Sequence, residues 1–310
     1  MVMADRKQCT LKAPVTISGV GLHSGELITM KLIPAAPFSG ISFIRTDLHQ
    51  GDRVIPALWD HVIDTQLCTV IGNASGAKVG TIEHLMSALR GCDIDNIAIE
   101  IDGPEVPILD GSAACFVDAI ESVGIQEQAA ARRLIKVLKE VSVEDNGKRV
   151  SLSPARGCIF AGEIAFDHQD IGTQNFETQL VNGNFKHDIA QARTFGFLHE
   201  VEYMRSQGLA LGGSMENAIV MGQDGIMNPE GLRFSNEFIR HKLLDAIGDL
   251  YLASAPILGR YDGVKAGHAI NNAILHELFS SEDNWIFVDM NDVAVERRTK
   301  DQHERVLEVA

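Results

Sequence analysis

The chain has 310 residues, 45% hydrophobic and 22% charged: long for one domain, comfortable for two, and too apolar for wholesale disorder. With 42 acidic against 27 basic residues its formal charge is -15, which disfavours nucleic acid and anionic membranes as partners while leaving room for a local basic pocket. Five cysteines, an odd number with no Cys-x-x-Cys pair, argue against a disulfide framework and a Cys-rich zinc site.

Residues 10–19 and 26–35 read as two strands joined by VGLHSG, a hairpin by alternation and turn composition. Further strands are expected at 40–46 and 67–72. IEHLMSALRG reads as a short helix with Thr81 as N-cap and Gly91 as its stop. A strand at 96–101 and a helix from Ser112 to Gly124 follow. The polar stretch 126–133 is the best domain boundary, or else a helix end. Beyond it, LIKVLKEVSVED, KRVSLSP and GCIFAGEIAF read as strands, FKHDIAQART and HEVEYMRSQG as helices, and NAIVMG as a strand. A long helix capped by Ser235 covers SNEFIRHKLLDAIGDLYLASA, and the last helix begins near His268. EHLMSAL resembles RHKLLDAI, and each is followed by a strand region and a second helix at nearly equal spacing. Either two short amphipathic helices coincide, or the fold is duplicated. Duplication gives an α+β sandwich of two like units, 1–127 and 128–310.

The start of the chain lacks the apolar run of a secretory signal. No stretch approaches the ~18 apolar residues of a membrane span. The richest, 243–258, carries Asp245 and Asp249. A soluble, cytoplasmic protein without an integral membrane segment is expected.

The strongest local signal is His241-Lys-Leu-Leu-Asp245. Residues four apart share a helix face, so imidazole and carboxylate form two legs of a metal site or a plain hydrogen-bonded pair. Asp249 extends that face by one turn. His84 is a candidate third ligand, and Glu83 beside it a candidate proton acceptor for water at the metal; the same pair also suits an ordinary helix N-terminus. His268, after Lys265-Ala-Gly, is a candidate acid with Asp249 as partner, or a cap-region histidine without a role. Gly19-Val20-Gly21 and Gly212-Gly213 are not dinucleotide fingerprints, and no P-loop or G-x-S-x-G occurs. The other histidines, His303 included, lack ligand spacing. Cys68 and Cys92 read as small packing residues.

Taken together, Gly19-Val-Gly-Leu-His-Ser-Gly25, Thr81-Ile-Glu-His84-Leu, Asp110-Gly-Ser112-Ala, Arg193-Thr-Phe-Gly196, Arg240-His-Lys-Leu-Leu-Asp-Ala-Ile-Gly-Asp249 and Gly267-His268-Ala closely resemble one family. It is the zinc-dependent UDP-3-O-acyl-N-acetylglucosamine deacetylases of lipid A biosynthesis in Gram-negative bacteria. The motifs run in the family's order over nearly the whole chain, with no extra domain expected. The resemblance implies two α+β domains of like topology whose sheets enclose the helices, each with a small insert. It implies that His84, His241 and Asp245 hold Zn2+, that Glu83 is the general base, that His268 supported by Asp249 is the general acid, and that Thr194 bonds the oxyanion. The donor set also suits Fe2+. A UDP-linked acyl-glucosamine is then the substrate of a monomeric enzyme. Lys242 and Lys265 would meet its diphosphate, Phe166 would stack on uracil, and an insert at 198–221 would pass the fatty chain. Val201, Leu209, Gly213, Ala218 and Val220 would line that passage, with Phe195 at its mouth and Gly213 allowing close approach. Glu200 stands where the family suggests Asp, and Met215-Glu216-Asn217 also departs from its pattern, so acyl length is open. The other readings are a zinc deacetylase of another N-acetyl amino sugar, and a non-catalytic nucleotide-sugar or lipid-binding protein.

Overall fold

The computed structural model describes residues 7–49, 51–181 and 183–290; the end of the second expected unit, with His303, lies outside them. Among the described residues are six α-helices: α1 (Glu83–Gly91), α2 (Ala114–Val123), α3 (Asn184–Asp188), α4 (Leu198–Ser206), α5 (Glu237–Tyr251) and α6 (His268–Phe279). None is long and apolar enough to cross a membrane.

The protein is α+β, and its two halves repeat one topology. In the first, the hairpin Val15–Val20/Leu27–Pro34 comes first and strand Ile41–Arg45 next. Strand Ile97–Ile101 then inserts between them, antiparallel to 27–34 and parallel to 41–45. In the second, the hairpin Val141–Asp145/Lys148–Ser153 is followed by Cys158–Ala165, and Ile257–Val264 inserts between them with the same orientations. Each inserted strand follows one helix and precedes another: α1 and α2 in the first half, α5 and α6 in the second. Alternation drives the outer strands; Leu27–Pro34 buries Ile28, Met30 and Leu32, every second residue. The central helices show no polar face. α1 is buried from Glu83 to Arg90, and α5 is buried except at Arg240 and Lys242. A helix covered all round must carry its polar groups into partnered positions, so buried Glu83, His84, His241, Asp245 and Asp249 require a site.

α1 and α5 pack directly on each other. Gly248 makes this possible: a Cβ there would lie 2.0 Å from the Glu83 carbonyl oxygen. The equivalent helices of the two halves thus meet backbone to backbone, bringing His84 towards His241 and Asp245.

Each half carries an addition. The first holds a small sheet, Val62–Asp64/Val70–Gly72/Lys78–Val79. The second holds a parallel β-α-β unit in which Phe195–Phe197 pairs with Ile219–Met221 across α4.

Several local expectations are corrected. Residues 126–131 are not a helix end: Ile125–Ala131 is a strand paired with Lys7–Leu11. The expected first strand is two, broken at 12–14. Thr81 does not cap α1; it has φ +54° and its hydroxyl donates to Glu105, while Ile82 occupies the cap position. Ser235 does not cap α5, where Asn236 stands at the N-cap without a side-chain capping bond, its Oδ1 accepting from Arg240 Nε instead. Glu237 instead accepts the backbone N–H groups of Arg193 and Arg233. FKHDIAQART is helical only to Asp188, because the chain then turns to carry Ala192–Thr194 past α5.

Candidate active site

His84 comes from α1, and His241 and Asp245 come from successive turns of α5. One donor atom from each lies within 4.8 Å of the other two, and all three residues are buried. Asp245 Oδ1 is 3.3 Å from His241 Nε2 and 3.6 Å from His84 Nε2, yet accepts no hydrogen bond. His241 Nδ1 meets the Ala192 carbonyl at 3.0 Å, an acceptor that fixes the proton on Nδ1 and leaves the Nε2 lone pair free. Burial, opposed by Asp245, pushes His241 down to about 4, so the imidazole is neutral as a ligand must be. Burial works against the Asp245 charge, but His241 and Lys242 hold its carboxyl well below the usual range. Two imidazoles and an ionised carboxylate with an unused buried oxygen fit a divalent metal.

Glu83 precedes His84. Burial raises its carboxyl above the usual value against the pull of His268 and His84. Its Oε2 accepts the Thr69 N–H at 3.1 Å, and its Oε1 is 3.9 Å from His268 Nε2. His268 opens α6, and its Nδ1 lies 2.9 Å from Asp249 Oδ2. Burial opposes a charge on this ring, but Asp249 and Glu83 outweigh it and push His268 up to about 9.

Glu83, His84, His241, Asp245 and His268 face one cavity of about 420 Å³, which also reaches Thr194, Phe166, Phe195, Lys242 and Lys265. Lys242 Nζ is engaged by Asp245 Oδ2 at 2.7 Å, while Lys265 is exposed. Phe166 stands edge-on to Phe195 and is half-buried in a satellite aromatic cluster. A second, mostly apolar cavity of about 370 Å³ adjoins the first through Leu22, Thr194 and Phe195. Val201, Gly213, Ala218 and Val220 line it. Leu209 does not; it borders a third cavity beside His23 and Glu105. The tight backbone approach is at Gly212, where a Cβ would lie 2.2 Å from the Gly21 carbonyl oxygen; Gly213 has ordinary room.

Cys92 packs in the core as expected, but Cys68 lines the first cavity. Sequence reasoning missed Lys148, which lines that cavity, and Thr69 and Asn271, which bond Asp249. It also missed Glu105, which accepts the His23 and Ser24 N–H groups and the Thr81 hydroxyl. None has a spacing that marks it; the Thr69–Asp249 pair is 180 residues apart.

One cavity thus gathers a trio that fits a metal, a buried carboxylate able to accept a proton and a carboxylate-held imidazole able to donate one. Those are the three demands of hydrolysing an unactivated amide, and they define the protein as a metal-dependent hydrolase. Residues 8–280 match the family model LpxC, UDP-3-O-acyl N-acetylglycosamine deacetylase. The chain is 50% identical over 278 residues to the UDP-3-O-acyl-N-acetylglucosamine deacetylase of Phenylobacterium zucineum, covering 90% of this chain and 95% of that one. It is 48% identical to the protein of the same name from Syntrophotalea carbinolica, covering 93% and 92%, and 46% identical to that of Haemophilus influenzae, covering 92% and 94%. The chain belongs to the UDP-3-O-acyl-N-acetylglucosamine deacetylase family.

Proposed function

We propose that this protein hydrolyses the acetamide of UDP-3-O-acyl-N-acetylglucosamine to acetate and UDP-3-O-acyl-glucosamine, an early committed step of lipid A synthesis in a Gram-negative cytoplasm. The observation that carries this reading is one cavity shared by a metal-fitting trio, a buried carboxylate and a carboxylate-held imidazole. His84, His241 and Asp245 would hold zinc, with Fe2+ the other metal that the donor set suits. When bound, the metal polarises the acetamide carbonyl and lowers the pKa of water towards ~7.

The rest is done by the chain. Glu83 takes the proton of the attacking water, a task suited by its raised carboxyl. Thr194 donates its hydroxyl to the oxyanion. His268 gives the proton that the amine needs to leave; its Nδ1 is committed to Asp249, so the donor is Nε2, facing Glu83. Lys265, with Lys148, meets the diphosphate, and Lys242, tied to Asp245, adds positive potential beside it. Phe166 stacks on uracil. Phe195 stands where the two cavities join, and Val201, Gly213, Ala218 and Val220 line the apolar one for the fatty chain.

The 198–221 insert is the passage of a second domain that begins near residue 128. The five-stranded sheet is built from strands before that point and the seven-stranded sheet from strands after it. The protein acts as a monomer on a soluble nucleotide sugar. The test is acetate release from UDP-3-O-acyl-N-acetylglucosamine before chelation, after it, and after zinc is restored. Activity that disappears and returns supports the reading. No release from folded, metal-replete protein overturns it in favour of another amide or a binding protein.

A further inference from the structure

The deacetylase reading assigns Asp249 to His268 but leaves unexplained how Asp249 itself is held. Its carboxylate is buried at the seam between the halves and receives three donors. His268 Nδ1 and Asn271 Nδ2 both lie 2.9 Å from Oδ2. On Oδ1 the donor is the Thr69 hydroxyl, at 2.5 Å. Tyr261 donates its hydroxyl to Asn271 Oδ1 at 2.8 Å, which fixes the orientation of that amide. Thr69 is itself buried and stands just before strand Val70–Gly72 of the first half's small sheet. Its backbone N–H donates to Glu83 Oε2 at 3.1 Å. One residue of the first half therefore bonds the carboxylate proposed to accept a proton and the carboxylate that orients the group proposed to donate one.

We infer that Thr69 is a positioning residue for the proton transfers, locking Asp249, and through it His268, in register with Glu83; this rests on the deacetylase reading. A hydroxyl carries no charge, so its contribution is direction. With Oδ1 held by Thr69, the Asp249 carboxylate cannot turn about its terminal bond, and Oδ2 stays in line with His268 Nδ1. That keeps His268 Nε2 on the Glu83 side of the cavity, 3.9 Å from Oε1. Acid and base must serve the same carbon from fixed places, and small misplacements cost large factors in rate.

The test compares kcat and KM of zinc-loaded wild type, Thr69→Val and Thr69→Ser, each alone and combined with His268→Ala. Valine keeps the branched shape of threonine and the backbone bond to Glu83, and replaces the hydroxyl with a methyl group that cannot donate to Asp249. A hydrogen bond to a charged group is worth about tenfold or more. Thr69→Val should lower kcat by at least about that factor with KM and metal content unchanged, and Thr69→Ser should recover to within about threefold. In the His268→Ala background, Thr69→Val should change kcat less than about twofold, because the group it acts through is gone. Thr69→Ala gives the same comparison if valine is not accommodated. Equal losses in both backgrounds, a rise in KM alone, or unchanged kcat in Thr69→Val overturns the assignment. Absence of acetate release from wild type overturns the deacetylase reading instead.

Discussion

His268 and Asp249 form a directed pair: Nδ1 of the ring is 2.9 Å from Oδ2 of the carboxylate, which leaves Nε2 to face the cavity. Burial alone would drive this imidazole neutral, so its charge depends on the pair.

A pH dependence follows with a definite sign. His268 is pushed up to about 9, so it remains protonated through neutrality, and kcat/KM should fall as pH rises through about 9. Asp249→Asn removes the largest of the opposing attractions, and the alkaline limb should move to lower pH. Stability follows the same linkage: a folded value above the ordinary 6.5 contributes stability fully present below about 6.5 and lost as pH rises through about 9. An alkaline limb that stays in place in Asp249→Asn would sink the pairing as the source of the acid.

Glu83→Ala should separate catalysis from metal binding. Glu83 lines the cavity but is not one of the trio whose donor atoms converge. General base catalysis is worth roughly 10²–10⁴-fold, and kcat should fall by that order while metal content stays at the wild-type level. Turnover near that of wild type would remove Glu83 from the mechanism.

The trio proposed to hold the metal is legible in sequence only in part. His241 and Asp245 announce themselves because four residues on a helix return to the same face. His84 has no local partner, and its place depends on α1 meeting α5, a contact set by Gly248. A lone glycine in a helix carries no sign of what presses against it. Thr69 and Asn271 are silent for the same reason, since each acquires its role from a carboxylate brought in by folding. The duplication is visible as a likeness between α1 and α5, but the inserted strands 97–101 and 257–264 show it as topology. Where a polar residue was expected to cap a helix, burial claimed it: Thr81 turns its hydroxyl to Glu105. Position next to a helix start does not decide between the two partners.

Gly248→Ala should couple stability to the metal. Its Cβ would stand 2.0 Å from the Glu83 carbonyl oxygen and 2.8 Å from the carbonyl carbon, atoms that cannot swing aside as a side chain can. Overpacking of this kind costs about 3 kcal/mol. The helices must separate, drawing His84 away from His241 and Asp245, so both Tm and zinc affinity should fall. A variant with lowered Tm and undiminished zinc affinity would show that the strain is relieved without moving His84 relative to His241 and Asp245.

The apolar cavity gives the sharpest test of substrate length. Ala218 lines it together with Val201, Gly213 and Val220, and Phe195 stands where it joins the metal cleft. Ala218→Phe should fill space that the fatty chain needs. Each buried methylene is worth about 0.8 kcal/mol, so displacing about three costs roughly 2.4 kcal/mol, near 50-fold in kcat/KM. The loss should appear with the long-chain substrate and vanish with an analogue acylated by acetate, because Glu83, His268 and the trio proposed to hold the metal line the other cavity. Equal losses on both substrates would mean that the ring disturbs the metal cleft through Phe195. Unchanged kinetics on the long-chain substrate would mean that the fatty chain leaves the protein by another route.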